Sequence, residues 1–289
     1  MAAPIGPLAD YLRARRAHLR PEDVGLPPDP GRRVRGLRRA EVAVLAGISL
    51  EYYTRLEQGR SYQLSEAVLS GLVSALQLDD NAARYFYRLA LPAPSPRAAR
   101  PTEPVSDVIV HLVEQWTDLP VYVADTNQDV LLANDLARAL FPSLLLTGNN
   151  VIESVFLAPE EGRGLQLWQE TARDAVSALR FKGDPTDPRL QEIVGGLSVR
   201  DADFRRMWAD HLAEPLTSGS VPVLVEGFGF GEIPWQALDI PGGHVMIVYL
   251  APADTFAADA IAHLRATRRP ELVATESVST DWDGESDVA

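Results

Sequence analysis

The side chains able to do chemistry are few and scattered. Five histidines stand at 18, 111, 211, 244 and 263, and none has the spacing of a metal-binding pair such as H-E-x-x-H. Cysteine is absent, which excludes disulfides, thiol nucleophiles and cysteine metal sites. Gly227, Gly229 and Gly231 alternate with Phe228 and Phe230. That run lacks the P-loop lysine and the second half of G-x-G-x-x-G, and it reads as a hairpin turn. No G-x-S-x-G elbow occurs. Neither catalysis nor a cofactor is expected. What the chain does concentrate is arginine. "RRVRGLRR" brings Arg32, Arg33, Arg35, Arg38 and Arg39 together with no acid among them, and Arg55 and Arg60 follow closely. Guanidinium groups neutralise phosphates and bond guanine edges bidentately, so the expected chemistry is recognition.

The elements around those arginines fit that chemistry. The stretch 38–60, RRAEVAVLAGISLEYYTRLEQGR, reads as two short helices joined by a tight turn. The first, Arg38 to Ala46, carries Val42, Ala43 and Leu45 on its apolar side. Gly47 supplies the turn, Ile48 plugs the angle, and Ser49 caps a second helix over Leu50 to Glu57. A small residue, a glycine four positions on, an apolar residue and a capped helix make the helix-turn-helix signature. With Ile48, Tyr53 and Leu56 turned inward, Ser49, Leu50, Glu51, Thr54 and Arg55 face outward as candidate base readers. Arg32, Arg33, Arg35, Arg38, Arg39 and Arg60 are candidate phosphate contacts. One recognition helix covers few base pairs, so a homodimer on duplex operator DNA is expected.

Charge divides as that reading requires. The net charge is −13, yet residues 1–100 carry +5 and the remainder −18. A basic first third is the footprint of an attached DNA-binding module. No run approaches the roughly 18 apolar residues of a membrane span, and no secretory signal is visible, so a cytoplasmic protein without a membrane partner is expected.

The length suggests two domains. Helices over Leu8 to Leu19, Ser65 to Leu76 and Asp79 to Ala90 complete a five-helix unit at 1–92. Its core would be Leu69, Leu72, Leu76, Phe86 and Leu89, with Tyr85 at the edge. Prolines at 92, 94, 96, 101 and 104 make 93–104 a semi-rigid linker. From Val105 the order is a helix, two β-rich runs within Pro120 to Asn134, a block of helices, and three strands within Val221 to Leu250. A helix over Asp254 to Thr267 closes 105–268. This order predicts a PAS-like α+β domain, a five-stranded antiparallel sheet with helices on one side. The acidic stretch 269–289 reads as a disordered tail.

The segments "RARRAHLRPEDVGLP", "VRGLRRAEVAVLAGIS" and "YYTRLEQGR", with "LLANDLARALF", "ARDAVSALR", "TDPRL" and "LSVRDADFRRMWADH", resemble the MmyB-like bacterial transcription regulators. The resemblance implies a Cro/repressor-type (Xre) DNA-binding domain joined to a PAS-like domain that binds a small hydrophobic ligand, with fatty acids as the associated class. After His211 the chain departs from the family's usual basic strand. From pattern, Val121, Val123, Leu131, Phe141, Trp168, Phe204, Trp208 and Tyr249 are candidates to line a pocket. Arg205 and His211 are candidates to meet a ligand carboxylate. The alternative is a second domain that serves interaction or dimerisation with no small ligand.

Overall fold

The computed structural model describes residues 6–27, 32, 34–60, 64–91, 104–157, 163, 164 and 166–267. The linker expected at 93–104, apart from Pro104, and the tail expected at 269–289 lie outside the described residues.

The N-terminal region is helical: α1 (Pro7–His18), α2 (Arg39–Leu45), α3 (Leu50–Glu57), α4 (Glu66–Ala75) and α5 (Asp80–Ala90). A short 3-10 turn, Pro21–Val24, follows α1. Side chains set the helix starts. The Ser49 hydroxyl accepts from the Tyr52 N–H, Ser65 from Val68 and Asp79 from Ala82. Each satisfies a donor that helix geometry leaves free. Tyr11, Leu12, Val42, Tyr53, Leu72, Leu76 and Phe86 are fully buried in one core. Tyr85, expected at the edge, is buried too, edge-on to Tyr11 at 5.1 Å. Leu45, expected on the apolar side of α2, is exposed. The buried sector is Val42, Ala43 and Ala46, and at 3.6 residues per turn Leu45 falls outside it. Gly71 lets α4 press on the end of α2: a Cβ there would come 2.4 Å from the Ala46 carbonyl oxygen.

The second region begins with α6 (Asp107–Gln115), β1 (Val121–Ala124), β2 (Val130–Ala133), α7 (Asp135–Leu140) and α8 (Val151–Val155). It continues with α9 (Gln166–Lys182), α10 (Pro188–Arg200) and α11 (Ala202–Ala209). The chain then runs through β3 (Ser218–Val225), β4 (Gly229–Ile240), β5 (His244–Tyr249) and α12 (Phe256–Thr267). The strands form one antiparallel sheet in the order β2-β1-β5-β4-β3. The Gly227 region is the β3–β4 hairpin turn, not a phosphate loop.

Helices occupy both faces of the sheet, not one. On the front, Tyr122, Val223, Ile233, Val245, Ile247 and Tyr249 share a core with α7 and α12. On the back, Val113 of α6 packs on Val121, Val123, Met246 and Val248. Beyond α6 no described element covers the back of β3 and β4, and Leu224 and Phe230 are 75% and 64% exposed. A third core joins Ile152, Phe156, Trp168, Leu179, Ile193 and Phe204 from the helical block. Residues 175–181 of α9 are all buried, which marks it as an interior helix with neighbours on every side.

Candidate DNA-binding surface and ligand cavity

Helices α2 and α3 meet at the turn the sequence implies. Gly47 has φ +68°, a left-handed value that glycine adopts without strain. The Ile48 N–H then bonds the Ala43 carbonyl at 2.9 Å, and Ile48 is half-buried. Tyr53, Leu56 and Glu57 make the inner face of α3. Outward lie Ser49, Leu50, Glu51 and Arg55, all exposed, and Thr54, half-buried. Arg55 reaches back to Glu51 at 2.5 Å. The pair is solvated and one turn apart, so it holds Arg55 weakly. The Ser49 hydroxyl is already engaged as the helix cap.

The arginines divide into two kinds. Arg35, Arg38, Arg39 and Arg60 are exposed around α2 and α3. Arg32, expected at phosphate, is instead committed inward. It donates to both carboxylate oxygens of Glu41 and to the carbonyls of Val34 and Gly36. Those bonds fasten the extended segment onto α2. Arg33 lies outside the described residues. Arg39 has a second task, since its Nε donates to Glu57 at 2.6 Å. Arg16 of α1 grips the same carboxylate at 2.6 and 3.2 Å. Burial opposes ionisation of Glu57, but the bonds from Arg16 and Arg39 outweigh it and hold the carboxyl below its usual range. This clamp orients α3 against α1. Sequence reasoning missed it. The available signal was an acid at 57, one turn after Tyr53, on the face that must be buried.

A cavity of about 110 Å³ lies between the front of the sheet and α9. Its sheet wall includes Tyr122, Val221, Trp235, Ile247 and Tyr249, and its helix wall Thr171, Asp174, Ala175, Ala178 and Lys182. Phe141 closes one end against Tyr249, with ring centroids 5.2 Å apart. The helix residues recur at i, i+3, i+4, i+7 and i+11, one stripe of a helix. Burial and the nearby Glu214 and Glu170 carboxylates push the Asp174 carboxyl up. Lys182, the chain's one lysine, ties to Asp239 at 2.5 Å.

Of the candidate pocket residues, Phe141 and Tyr249 line this cavity. Val121 and Val123 are on the opposite face of the sheet, packed on α6. Leu131 sits at the irregularity between β1 and β2, where the register skips it. Trp168 and Phe204 pack edge-on against Phe156, inside the helical core. Arg205 is spent on the Ser198 carbonyl at the surface. Trp208 and His211 line a separate cleft that faces the helical region. The two regions touch directly. Phe181 of α9 and Ala213 join the core of the helical region, and the guanidinium groups of Arg84 and Arg88 lie 5.3 and 5.7 Å from the Phe181 ring centre.

Among the described residues no cluster of three histidine or acidic groups could hold a metal ion. No described helix is long and apolar enough to cross a membrane. No curated protein matches the chain. Residues 7–86 match a family model described as a helix-turn-helix domain. Residues 105–264, more than half the chain, match one described as the MmyB-like transcription regulator ligand binding domain. With a helix-turn-helix unit followed by a five-stranded α+β domain that encloses an apolar cavity, the chain belongs to the MmyB-like transcription regulators: it binds DNA through the first domain and a ligand through the second.

Proposed function

We propose that the chain is a homodimeric regulator whose affinity for operator DNA is set by an acyl-chain ligand of the fatty-acid class. Ser49, Leu50, Glu51, Thr54 and Arg55 meet base edges. Arg33, Arg35, Arg38, Arg39 and Arg60 meet phosphates, and Arg32 stiffens the loop behind them. Two recognition helices read half-sites about 34 Å apart, or a multiple of that. The bare apolar strip with Leu224 and Phe230 supports pairing of two copies. A regulator of this kind works in the cytoplasm, where bacterial operators are.

The observation that carries the switch is the double duty of α9. One stripe of it walls the cavity, and Phe181 at its end packs in the helical region. An engineered cavity of roughly 150 Å³ holds one benzene ring. At about 110 Å³ this one is too small for an acyl chain as it stands. On this reading, entry of the ligand displaces a wall of the cavity, and α9 is the wall that also touches the helical region. Such a ligand binds one state and not the other, which is the condition for shifting an equilibrium. Coupling then runs through a direct domain contact, not through the linker alone. The acyl carboxylate pairs with Lys182 at the cavity edge.

Fatty-acid titration followed by tryptophan fluorescence, with and without operator duplex, tests this reading. Trp235 lines the cavity and reports occupancy. A tenfold change in operator affinity requires about 1.4 kcal/mol of coupling, and operator must change ligand affinity by the same factor. Saturable binding with no effect on operator would keep the pocket and remove the switch. No binding at all would favour an interaction module.

A further inference from the structure

The cleft between the two regions holds a buried charge that forms no ion pair among the described residues. Arg180 of α9 is only 6% exposed. Its Cζ lies 3.7 Å from the Trp208 ring centre, and Nη2 donates to the Trp208 carbonyl. Nη1 is 3.3 Å from Nδ1 of His211, and Nε is buried with no partner. Among the described residues no carboxylate forms an ion pair with it. Asp10, paired with Arg13, and the Tyr85 hydroxyl share the cleft and favour the charge without forming an ion pair with it. Buried charges are ordinarily paired, because an uncompensated one keeps its full desolvation cost. The stacking on Trp208 offsets part of that cost and leaves Nε–H unanswered.

His211 completes the arrangement. It adopts φ +53°, a strained value for a residue with a side chain, and that turn brings its ring beside Arg180. Burial and the positive charge of Arg180 push its pKa down to about 4. The other charged groups that act on it, Arg13 and His18, press the same way. The imidazole is therefore neutral near pH 7. A neutral ring that faces an arginine donor with Nδ1 carries its proton on Nε2. Arg180 Nε is left without an acceptor among the described residues, and the Nε2–H of His211 lies on the ring edge away from Arg180. The cleft has a volume of about 200 Å³, and Leu190, Val194 and Pro185 give it apolar walls.

We propose that this cleft is a second ligand site, separate from the cavity under α9, and that it takes a small carboxylate with a compact apolar body, of the monocyclic aromatic-acid class. The carboxylate accepts from His211 Nε2, and Arg180, whose Nη1 faces Nδ1 of the same ring, supplies the positive charge behind it. The ring lies against Leu190 and Val194, in a volume that exceeds the roughly 150 Å³ sufficient for benzene. The cleft is walled by Pro7, Asp10 and Tyr85 from the helical region and by Arg180, Trp208 and His211 from the other. An occupant touches both regions and fixes how the DNA reader sits on the sensor.

Benzoate titrated into the full-length protein by calorimetry tests the proposal, with benzamide as the neutral isostere. Saturable benzoate binding is expected, at least tenfold weaker for benzamide and at least tenfold weaker in Arg180→Met. Since Arg180→Met sits at a domain contact, NMR titration of His211 in the unsubstituted protein gives a reading that needs no variant. Benzoate should move its pKa up from about 4 toward the ordinary 6.5, because the bound anion favours the imidazolium. Equal affinity for benzoate and benzamide, undiminished binding in a folded Arg180→Met, or an unmoved His211 at saturation would each overturn the proposal. So would absence of benzoate binding.

Discussion

Glu57→Ala should loosen the DNA-binding domain more than any exposed arginine change near it. The Glu57 side chain is wholly buried, and its two partners differ: Arg16 is 18% exposed and Arg39 49%. Removing one member of a buried ion pair costs about 3–5 kcal/mol, most of it the charge left behind. The Arg39 share is screened by water and contributes under about 1 kcal/mol. Arg16 keeps most of its penalty, because water reaches it poorly. The expectation is about 3 kcal/mol for Glu57→Ala, roughly a hundredfold in the stability constant, against under about 1 kcal/mol for Arg39→Ala. All five tryptophans lie at or beyond residue 116, so their fluorescence does not report on this domain. Amide hydrogen exchange at Tyr53 and Leu56 does. The pH dependence carries a sign. The folded carboxyl is held below its ordinary 4.5, so its contribution is complete above that value and decays as pH falls through the folded pKa. Glu57→Gln should erase that acid limb. Equal costs for Glu57→Ala and Arg39→Ala, or an acid limb that survives in Glu57→Gln, would refute the reasoning.

Arg55→Ala should relax preference at one base pair by about 1–3 kcal/mol, whereas Arg60→Ala should weaken all sequences alike and flatten the salt dependence by about one unit; binding of operator and scrambled duplexes across salt concentrations separates the two. Gly71→Ala, which gains about 1 kcal/mol of helix propensity, should still destabilise by about 1–3 kcal/mol, because its Cβ meets the Ala46 carbonyl oxygen; exchange of the α4 amides measures it. Phe230→Glu, on the bare strip of the sheet, should convert a dimer to a monomer in sedimentation analysis without loss of fold.

Much of the fold was legible because local chemistry writes it. Ser49 and Gly59 bracket α3, and Asp79, Asn134, Asp187 and Asp201 cap their helices with their own side chains. The succession of strands along the chain followed from alternation and turns. The pocket was less legible, and β1 shows why. All four of its residues are buried, so no polar side chain marks which face meets the cavity. Choosing Val121 and Val123 placed the wall on the wrong side; Tyr122 and Ala124 are the ones that line it. Glu57 announced a buried partner but not which one, because Arg16 is 41 residues away. Arg180 looked like one arginine among many. Only the docking of the two regions isolates it.

The layout of α9 bears on how such a sensor changes its specificity over generations. The residues that line the cavity, Thr171, Ala175 and Ala178 among them, form one stripe, while Arg180 meets the DNA-binding domain from the opposite side of the same helix and Phe181 from the edge of the stripe. Substitutions at Thr171, Ala175 or Ala178 reshape the cavity without replacing a residue of the domain contact. A lineage can therefore exchange its signal without rebuilding its output, and a designer who wants a sensor for a new molecule has a short set of positions to randomise.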